Sequence, residues 1–223
     1  MLDVLYEDNH LLIVNKPAGL ATMGVSAGTT SLITVAKEYL REKYQKPGNV
    51  YLGVVSRLDT PVTGAVLFAR TSKAAARMTE QYRERTVEKI YWAIVEGHLS
   101  PATGELVDWL RKDERHRRVH VASPTAPDAQ EARLKYQVLE ELARRNDHSL
   151  LEIRLETGRK HQIRVQLAHH GHPIVGDVKY GSRDDLAAGI ALHARRLVVE
   201  HPTLHTPVEV VAPLPKTWAK WVS

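Results

Sequence analysis

The sequence contains no cysteine among its 223 residues. This absence excludes disulfide bonds and thiolate metal sites, and it is typical of proteins that work in the reducing cytosol. No apolar run is long enough to cross a bilayer. The opening MLDVLYEDNH has neither the basic nor the apolar region of a secretory signal. We therefore expect a soluble, cytoplasmic protein.

The sequence also lacks the short motifs of three common kinds of enzyme. It has no Walker loop for nucleotide phosphates, no GxSxG turn for a serine nucleophile and no HExxH pattern for zinc. Four histidines crowd together, at His161, His169, His170 and His172. They raise the hypothesis of a metal-dependent hydrolase. Because no carboxylate stands at ligand spacing beside them, we predict no metal site.

Basic residues outnumber acidic ones, 31 to 26, which gives a net charge of +5 alongside twelve histidines. This balance favours a polyanionic partner such as nucleic acid. The densest charge lies in the segment RKDERHRR, whose cations would neutralise RNA phosphates along a groove. Its members include Arg111, Lys112, Arg117 and Arg118. Two acidic residues interrupt the run, so a solvated surface is the alternative interpretation.

No linker or internal repeat divides the chain, so we expect a single domain over residues 1–223. Apolar patterning predicts many strands, at 4–6, 11–15, 50–55, 65–69, 90–95, 133–140, 150–156, 192–199 and 208–211. Helical spacing occurs after the capping candidates Thr30 and Ser31 and around Ile163. A further helix is predicted to run to about Arg85, with Ser72 as its cap. Many strands with few, unevenly placed helices favour an α+β fold with a mostly antiparallel sheet.

The stretch SRLDTPVTG places Asp59 between two apolar strands. A lone aspartate before Thr-Pro most simply caps a turn. A carboxylate enclosed by strands, however, needs a cationic or hydrogen-bonding partner. Arg57 would share a strand face with Asp59, and Arg164 in the apolar segment IRVQL is a second candidate. The residues alone leave open whether Asp59 is a turn residue or a reagent.

Tyr91 opens the predicted strand YWAIV. Most tyrosines in strands pack in the core or against a neighbouring strand. The functional alternative is an aromatic platform for a nucleobase that has left its stack. The sequence around Tyr91 does not separate these two interpretations.

Taken in order, several segments resemble the RluA-type pseudouridine synthase family over essentially the whole chain. They are VLYEDNHLLIVNKPAGL, RLDTPVTGAVLFART, KIYWAIVEG, ETGRKHQIRVQLAHHGHPIVGDVKYG, LHARRLVVEHP and VAPLP. RLD alone would mean little, whereas an ordered series of motifs is specific. The longest of these segments carries the most specific signature.

The resemblance implies an α+β catalytic core with a long, mostly antiparallel sheet, flanking helices and a central RNA-binding cleft. It also implies isomerisation of uridine to pseudouridine in ribosomal RNA or tRNA, without a cofactor. In this family pattern Asp59 is the catalytic carboxylate and Tyr91 stacks on the flipped uracil. Arg164 is the ion-pair partner of Asp59, and Arg57 fills the space that the flipped base leaves.

A further set of residues is predicted to contact RNA. They are Arg57, Arg111, Lys112, Arg117, Arg118, Arg159, Lys160 and His161. Many family members carry an additional small RNA-binding domain at the N-terminus. Because the resemblance begins at Val4, we expect a core without that domain, a monomer that must hold the RNA itself.

Two positions depart from the family pattern. Ser56 stands where the family commonly has histidine, and Val62-Thr63-Gly64 stands where it commonly has Thr-Ser-Gly. Both departures leave the carboxylate, the arginines and the tyrosine in place. They nevertheless motivate an alternative hypothesis, a catalytically weak RNA-binding or RNA-folding factor derived from this family.

Overall fold

The computed structural model describes residues 2–26, 28–142 and 147–222. The chain forms two compact units, each assembled from separate parts of the sequence. Unit 1 consists of Met1–Lys89 and His193–Pro215, and unit 2 consists of Ile90–Leu192 and Lys216–Ser223. The chain therefore starts unit 1, forms most of unit 2, returns to unit 1, and supplies its last residues to unit 2.

The strands and helices of the described residues alternate unevenly along the chain. The strands are β1 (Val4–Glu7), β2 (Leu11–Lys16), β3 (Gly53–Val54), β4 (Thr63–Ala69), β5 (Glu88–Glu96), β6 (Thr103–Asp113), β7 (Arg118–Val121), β8 (Gln130–Glu141), β9 (His148–Leu155), β10 (Leu192–Glu200) and β11 (Pro207–Val211). The helices are α1 (Leu32–Lys43), α2 (Ser72–Glu84) and α3 (Gln162–His169), with short 3-10 turns at Val178–Tyr180 and Lys216–Trp218. In this part of the chain, no helix is long and apolar enough to span a membrane.

Unit 1 contains a sheet in the order β1-β2-β4-β10, with β3 paired to β4 and β11 paired to β10. The pairing of β4 with β10 is parallel, and the others are antiparallel. Successive residues of β2 point to opposite faces: Leu11 packs in a cluster with Met78 of α2, and Leu12 packs with Leu32 of α1. Each face of the sheet is thus covered by one helix, which explains the continuous burial of β4.

Unit 2 contains an antiparallel sheet in the order β5-β9-β8-β6-β7. Helix α3 packs on it through Val165, which lies in a buried cluster with Leu110, Val119 and Ala132. This cluster joins the helix to β6, β7 and β8. The helix that carries Arg164 is therefore fixed against the strands that carry the basic segment.

The predicted α+β class and mostly antiparallel pairing are confirmed by these strand pairings and helices. Two local predictions were wrong. Thr71, not Ser72, caps α2, because the Thr71 hydroxyl accepts the Ala74 N–H at 3.1 Å while Ser72 is already helical. The strand expected at 50–55 is reduced to β3, because Val50 and Leu52 are buried in the cluster around α1 without strand pairing.

Candidate active site

The loop between β3 and β4 carries Asp59, and its backbone forms a turn there. The Asp59 carbonyl accepts the Val62 N–H at 3.0 Å. The side chain of Thr22 holds the preceding residue on both sides: its hydroxyl donates to the Leu58 carbonyl at 3.0 Å and accepts the Leu58 N–H at 3.1 Å. Asp59 is therefore a turn residue by its backbone, and a second segment of unit 1 fixes the conformation of the turn.

Lys16, the last residue of β2, is fully buried beneath this turn. Its ammonium donates to the carbonyls of Pro17 at 2.9 Å, Leu20 at 2.7 Å and Thr60 at 3.0 Å. Burial lowers the pKa of Lys16 to about 8, and the negative charge of Asp59 acts in the opposite direction. A buried cation thus holds the turn and supplies positive potential near Asp59. Lys16 was not predicted as a site residue, although the NKPAGL motif contains it.

The far end of the loop is anchored where β4 begins. The Thr63 hydroxyl lies 2.8 Å from Nδ1 of the fully buried His193, whose Nε2 lies 3.3 Å from the Ala212 carbonyl. Because the carbonyl only accepts, Nε2 carries the proton and the Thr63 hydroxyl donates to Nδ1. Burial lowers the pKa of His193 to about 4, so the ring is neutral.

Gly64 makes a close approach to β10. Its φ is +111°, and a Cβ atom at this position would lie 2.4 Å from the Ala194 carbonyl oxygen. No side chain fits there, and the conformation itself favours glycine. The glycine of the RLDTPVTG motif is therefore required by the parallel pairing of β4 with β10.

The two residues that depart from the family pattern, Ser56 and Val62, both contribute to the interior of unit 1. Val62 is buried, with 2% of its surface exposed. The Ser56 hydroxyl accepts the Leu67 N–H at 2.9 Å. It also lowers the pKa of the buried Tyr82 hydroxyl, although burial, the larger effect, raises that pKa to about 12. Arg57, between these positions, is exposed.

In unit 2, Arg164 forms a buried ion pair with Asp177. The Arg164 Nε lies 2.7 Å from Asp177 Oδ2, and Nη2 lies 2.9 Å from Oδ1. Only 6% of the arginine side chain and 1% of the aspartate side chain are exposed. Two parallel hydrogen bonds fix the plane of the guanidinium as well as its position. Asp177 was not predicted as a site residue; its signal is the GDVKYG motif.

Tyr180, three residues after Asp177, contacts the same guanidinium. Its ring centroid lies 5.0 Å from Arg164 Cζ, within the range of cation–π attraction. The Tyr180 hydroxyl lies 2.6 Å from His161 Nδ1. Tyr180, which was not predicted as a site residue, thus contacts both Arg164 and His161 of the predicted site.

Tyr91 lies on β5, paired with Ile153 of β9, and its side chain is partly exposed. Partial exposure distinguishes it from Ile90 and Ala93 of the same strand, which are buried. A base could reach an aromatic ring in this position. The stacking role of Tyr91 stays a prediction.

Arg57 lies in unit 1, whereas the other residues predicted to bind RNA lie on two parts of unit 2. Arg111 and Lys112 are exposed on β6. Arg117, in the turn before β7, and Arg118, the first residue of β7, are also exposed. Lys160 is exposed in the turn before α3. Arg159, in the same turn, donates from Nε to the Glu131 carbonyl at 3.0 Å, which ties this turn to β8.

The four clustered histidines have different partners. His161 contacts Tyr180; His170 Nε2 lies 3.3 Å from Asp108 Oδ2; and His172 Nδ1 lies 3.0 Å from the Glu96 carbonyl. His169 contacts the ring of His170 edge-on. Within residues 2–26, 28–142 and 147–222, no three His, Asp or Glu side chains are grouped so as to hold a metal ion.

Comparison with known families gives a match over most of the chain. Residues 10–169 match the family described as RNA pseudouridylate synthase. The chain belongs to this family. The match includes the Asp59 turn, Tyr91 and α3, so the protein is an RNA pseudouridine synthase of the RluA type, an isomerase that acts on RNA.

Two bacterial relatives and one human structure illustrate the similarity of this pseudouridine synthase to others. It is 38% identical over 218 residues to the uncharacterized RNA pseudouridine synthase YhcT of Bacillus subtilis, covering 96% of this chain and 69% of the relative. It is 34% identical to ribosomal large subunit pseudouridine synthase D of Escherichia coli, covering 96% and 68%. The structure of human RNA pseudouridylate synthase domain containing 4 superimposes with a TM-score of 0.80 at 26% identity, covering 97% and 90%.

Proposed function

We propose that this pseudouridine synthase isomerises specific uridines in structured ribosomal RNA or tRNA, with Asp59 as the catalytic carboxylate. The observation that carries the proposal is the turn that presents Asp59 above the buried ammonium of Lys16, in a chain of this family. The relatives named for the large ribosomal subunit favour ribosomal RNA as a substrate.

The reaction exchanges bonds within one nucleoside. The C1′–N1 bond breaks, the uracil rotates, and a C1′–C5 bond forms; C5 loses its proton to solvent and N1 gains one. Asp59 acts either as the nucleophile at C1′ or by removing a ribose proton. Both routes develop positive character at the sugar, which a nearby carboxylate stabilises. Since nothing is hydrolysed, oxidised or reduced, we propose that the reaction requires no cofactor or metal.

The other roles follow the family pattern. Tyr91 stacks on the flipped uracil and keeps it in place while it rotates. Arg164 keeps Asp59 ionised, and Arg57 occupies the space left by the base. The phosphates of the RNA bind to Arg111, Lys112, Arg117, Arg118, Arg159, Lys160 and His161. Residues 1–223 act as a single catalytic domain, in the cytoplasm and as a monomer.

Release of tritium from RNA transcribed with [5-³H]uridine tests this function. The wild-type protein should release tritium from an unmodified ribosomal RNA or tRNA transcript. Asp59→Ala should abolish release while leaving RNA binding in place. Asp3→Ala is the matched control, because Asp3 is an exposed carboxylate at the start of the chain. Tritium release that survives Asp59→Ala would disprove the role of Asp59.

The same variant separates catalysis from RNA folding. If the protein worked as an RNA-folding factor, cells carrying Asp59→Ala would keep its function, and charge reversal at Arg117 and Arg118 would abolish it. The proposal requires the opposite result for Asp59→Ala. A map of carbodiimide-reactive pseudouridines in cells with and without the protein identifies the modified uridine.

A further inference from the structure

Tyr180 lies where the Arg164–Asp177 pair meets the basic hairpin, defined as residues 103–121 of β6 and β7 with their turn. Its ring centroid is 5.0 Å from Arg164 Cζ and 5.8 Å from Arg118 Cζ. Both distances allow attraction between a guanidinium and an aromatic face. One side chain thus contacts both the arginine proposed to act in the reaction and an arginine proposed to bind RNA.

The Tyr180 hydroxyl makes two contacts to other elements. It accepts the Val119 N–H at 3.2 Å and lies 2.6 Å from His161 Nδ1. The hydroxyl oxygen accepts the Val119 N–H, and the tautomer of His161 determines which partner donates in the hydrogen bond to Nδ1. Because β7 is the last strand in the order of its sheet, the hydroxyl holds the backbone of an edge strand against the start of α3.

Lys179 strengthens the same connection. Its Nζ donates to the Arg117 carbonyl at 2.5 Å. Two successive residues of the turn, Lys179 and Tyr180, therefore bond the hairpin backbone on either side of Arg118. These two contacts fix the backbone that carries Arg117 and Arg118, the cations at the tip of the hairpin.

The cations around this turn repel one another in the absence of a ligand. Partial burial lowers the pKa of Lys179, and the positive charges of Arg164, Arg118 and Lys160 lower it further. An anion placed among these groups relieves the repulsion. The phosphates of an RNA backbone are the anions that the proposed function supplies.

We infer that Tyr180 is a positioning residue that links RNA binding by the basic hairpin to the placement of Arg164. The ring supports one face of the Arg164 guanidinium, whose edge Asp177 holds. The hydroxyl fixes the hairpin and His161. The ring therefore controls the catalytic step and the hydroxyl controls RNA affinity. This inference rests on the proposed function.

Two substitutions separate these roles. Tyr180→Phe keeps the ring and removes the hydroxyl, so we expect the RNA Kd to rise about fivefold to tenfold, with kcat within about twofold of wild type. Tyr180→Leu removes both, so we expect the same rise in Kd and a fall in kcat of about 30-fold or more. Tyr136→Phe is the control: its hydroxyl donates to the Pro101 carbonyl, away from this turn, and both constants should stay unchanged.

The measurements use an unmodified large-subunit ribosomal RNA transcript. Steady-state tritium release gives kcat, and filter binding of each variant combined with Asp59→Ala gives Kd without turnover. Adding Arg118→Ala to Tyr180→Phe should weaken binding less than the two single effects multiplied, because the hydroxyl acts through the presentation of Arg118.

Three results would overturn the inference. One is an unchanged Kd in Tyr180→Phe. Another is equal kcat in the Phe and Leu variants. The third is a loss of RNA binding or of kcat that a smaller folded fraction, measured by circular dichroism, explains completely. Tyr180 would then have only a structural role. If the wild type released no tritium from ribosomal RNA or tRNA transcripts, the proposed function itself would fail, and the inference with it.

Discussion

The carboxylate of Asp177 binds the guanidinium of Arg164 through two hydrogen bonds, of 2.7 and 2.9 Å, inside unit 2. Loss of Asp177 removes both hydrogen bonds and a negative charge from beside a buried guanidinium. We expect Asp177→Ala to lower the free energy of unfolding by about 3–5 kcal/mol. Urea denaturation followed by circular dichroism measures this change.

The matched control for that substitution is Glu209→Gln. Glu209 pairs with Arg196, but half of its side chain is exposed. Surface pairs contribute little to stability because water screens them. Equal losses for the two variants would contradict the structural importance of the buried pair.

The lowered pKa of Lys16 leads us to expect a fall in activity at alkaline pH. Its pKa is lowered to about 8, so the ammonium loses its proton as the pH rises through that value. The charge near Asp59 and part of the hydrogen bonding to the turn are then lost. We expect kcat to fall with an apparent pKa near 8 in a pH profile of tritium release, and Lys16→Met to show a lower kcat without this step.

The free energy of unfolding should rise with pH over the range in which activity falls. Between pH 8 and 10.5 the unfolded chain holds the Lys16 proton more tightly than the folded chain, so deprotonation favours folding. Activity should therefore fall before the denaturation midpoint does. A midpoint that falls together with kcat would assign the alkaline loss to unfolding instead.

The lowered pKa of His193 leads us to expect a lower free energy of unfolding at acid pH. The folded-state pKa of about 4 lies below the ordinary value of 6.5, so the unfolded chain binds the proton first. The contribution is complete above pH 6.5 and is lost as the pH falls toward 4. At pH 5 we expect a cost of roughly 2 kcal/mol relative to pH 8. Denaturation of wild type and His193→Gln at both pH values isolates this contribution, because the variant should lack it.

We expect an alanine at position 64 to cause a steric clash that an alanine at position 19 does not cause. Both have positive φ, but a Cβ at Gly64 would meet the Ala194 backbone, whereas nothing lies within 4 Å of a Cβ at Gly19. We expect Gly64→Ala to cost at least about 3 kcal/mol and Gly19→Ala about 1 kcal/mol. Thermal unfolding of the two variants measures the difference, and similar losses would show that the conformation rather than the contact matters.

The sequence predicted most of the fold because its apolar periodicity is clear. Strands such as β2 and β9 and all three helices were located to within a few residues of their observed ends. Val50 and Leu52 show where periodicity misleads: burial under a helix produces the same apolar pattern as strand pairing. Apolar alternation reports burial, and only hydrogen-bond partners distinguish a strand.

The site was predicted less completely, for a physical reason. Asp59, Tyr91 and Arg164 belong to recognisable motifs. Lys16 and Asp177 act through partners that are distant in sequence or enclosed by the fold, such as the Thr60 carbonyl and the Arg164 guanidinium. Burial of a charged side chain cannot be read from its neighbours in the chain. Supporting residues of this kind therefore require the three-dimensional structure.

The path of the chain through the two units determines when each hydrophobic core can be completed. Unit 1 needs β10 and β11, which lie beyond residue 191, and unit 2 needs the buried Trp218 and Trp221 near the end of the chain. Trp221 packs edge-on against His148, with ring centroids 5.0 Å apart. The core of unit 1 therefore cannot close until residues 90–192, which form most of unit 2, have been synthesised. Because β10 and β11 complete unit 1 and the two tryptophans belong to unit 2, deletion of residues 192–221 damages both units at once.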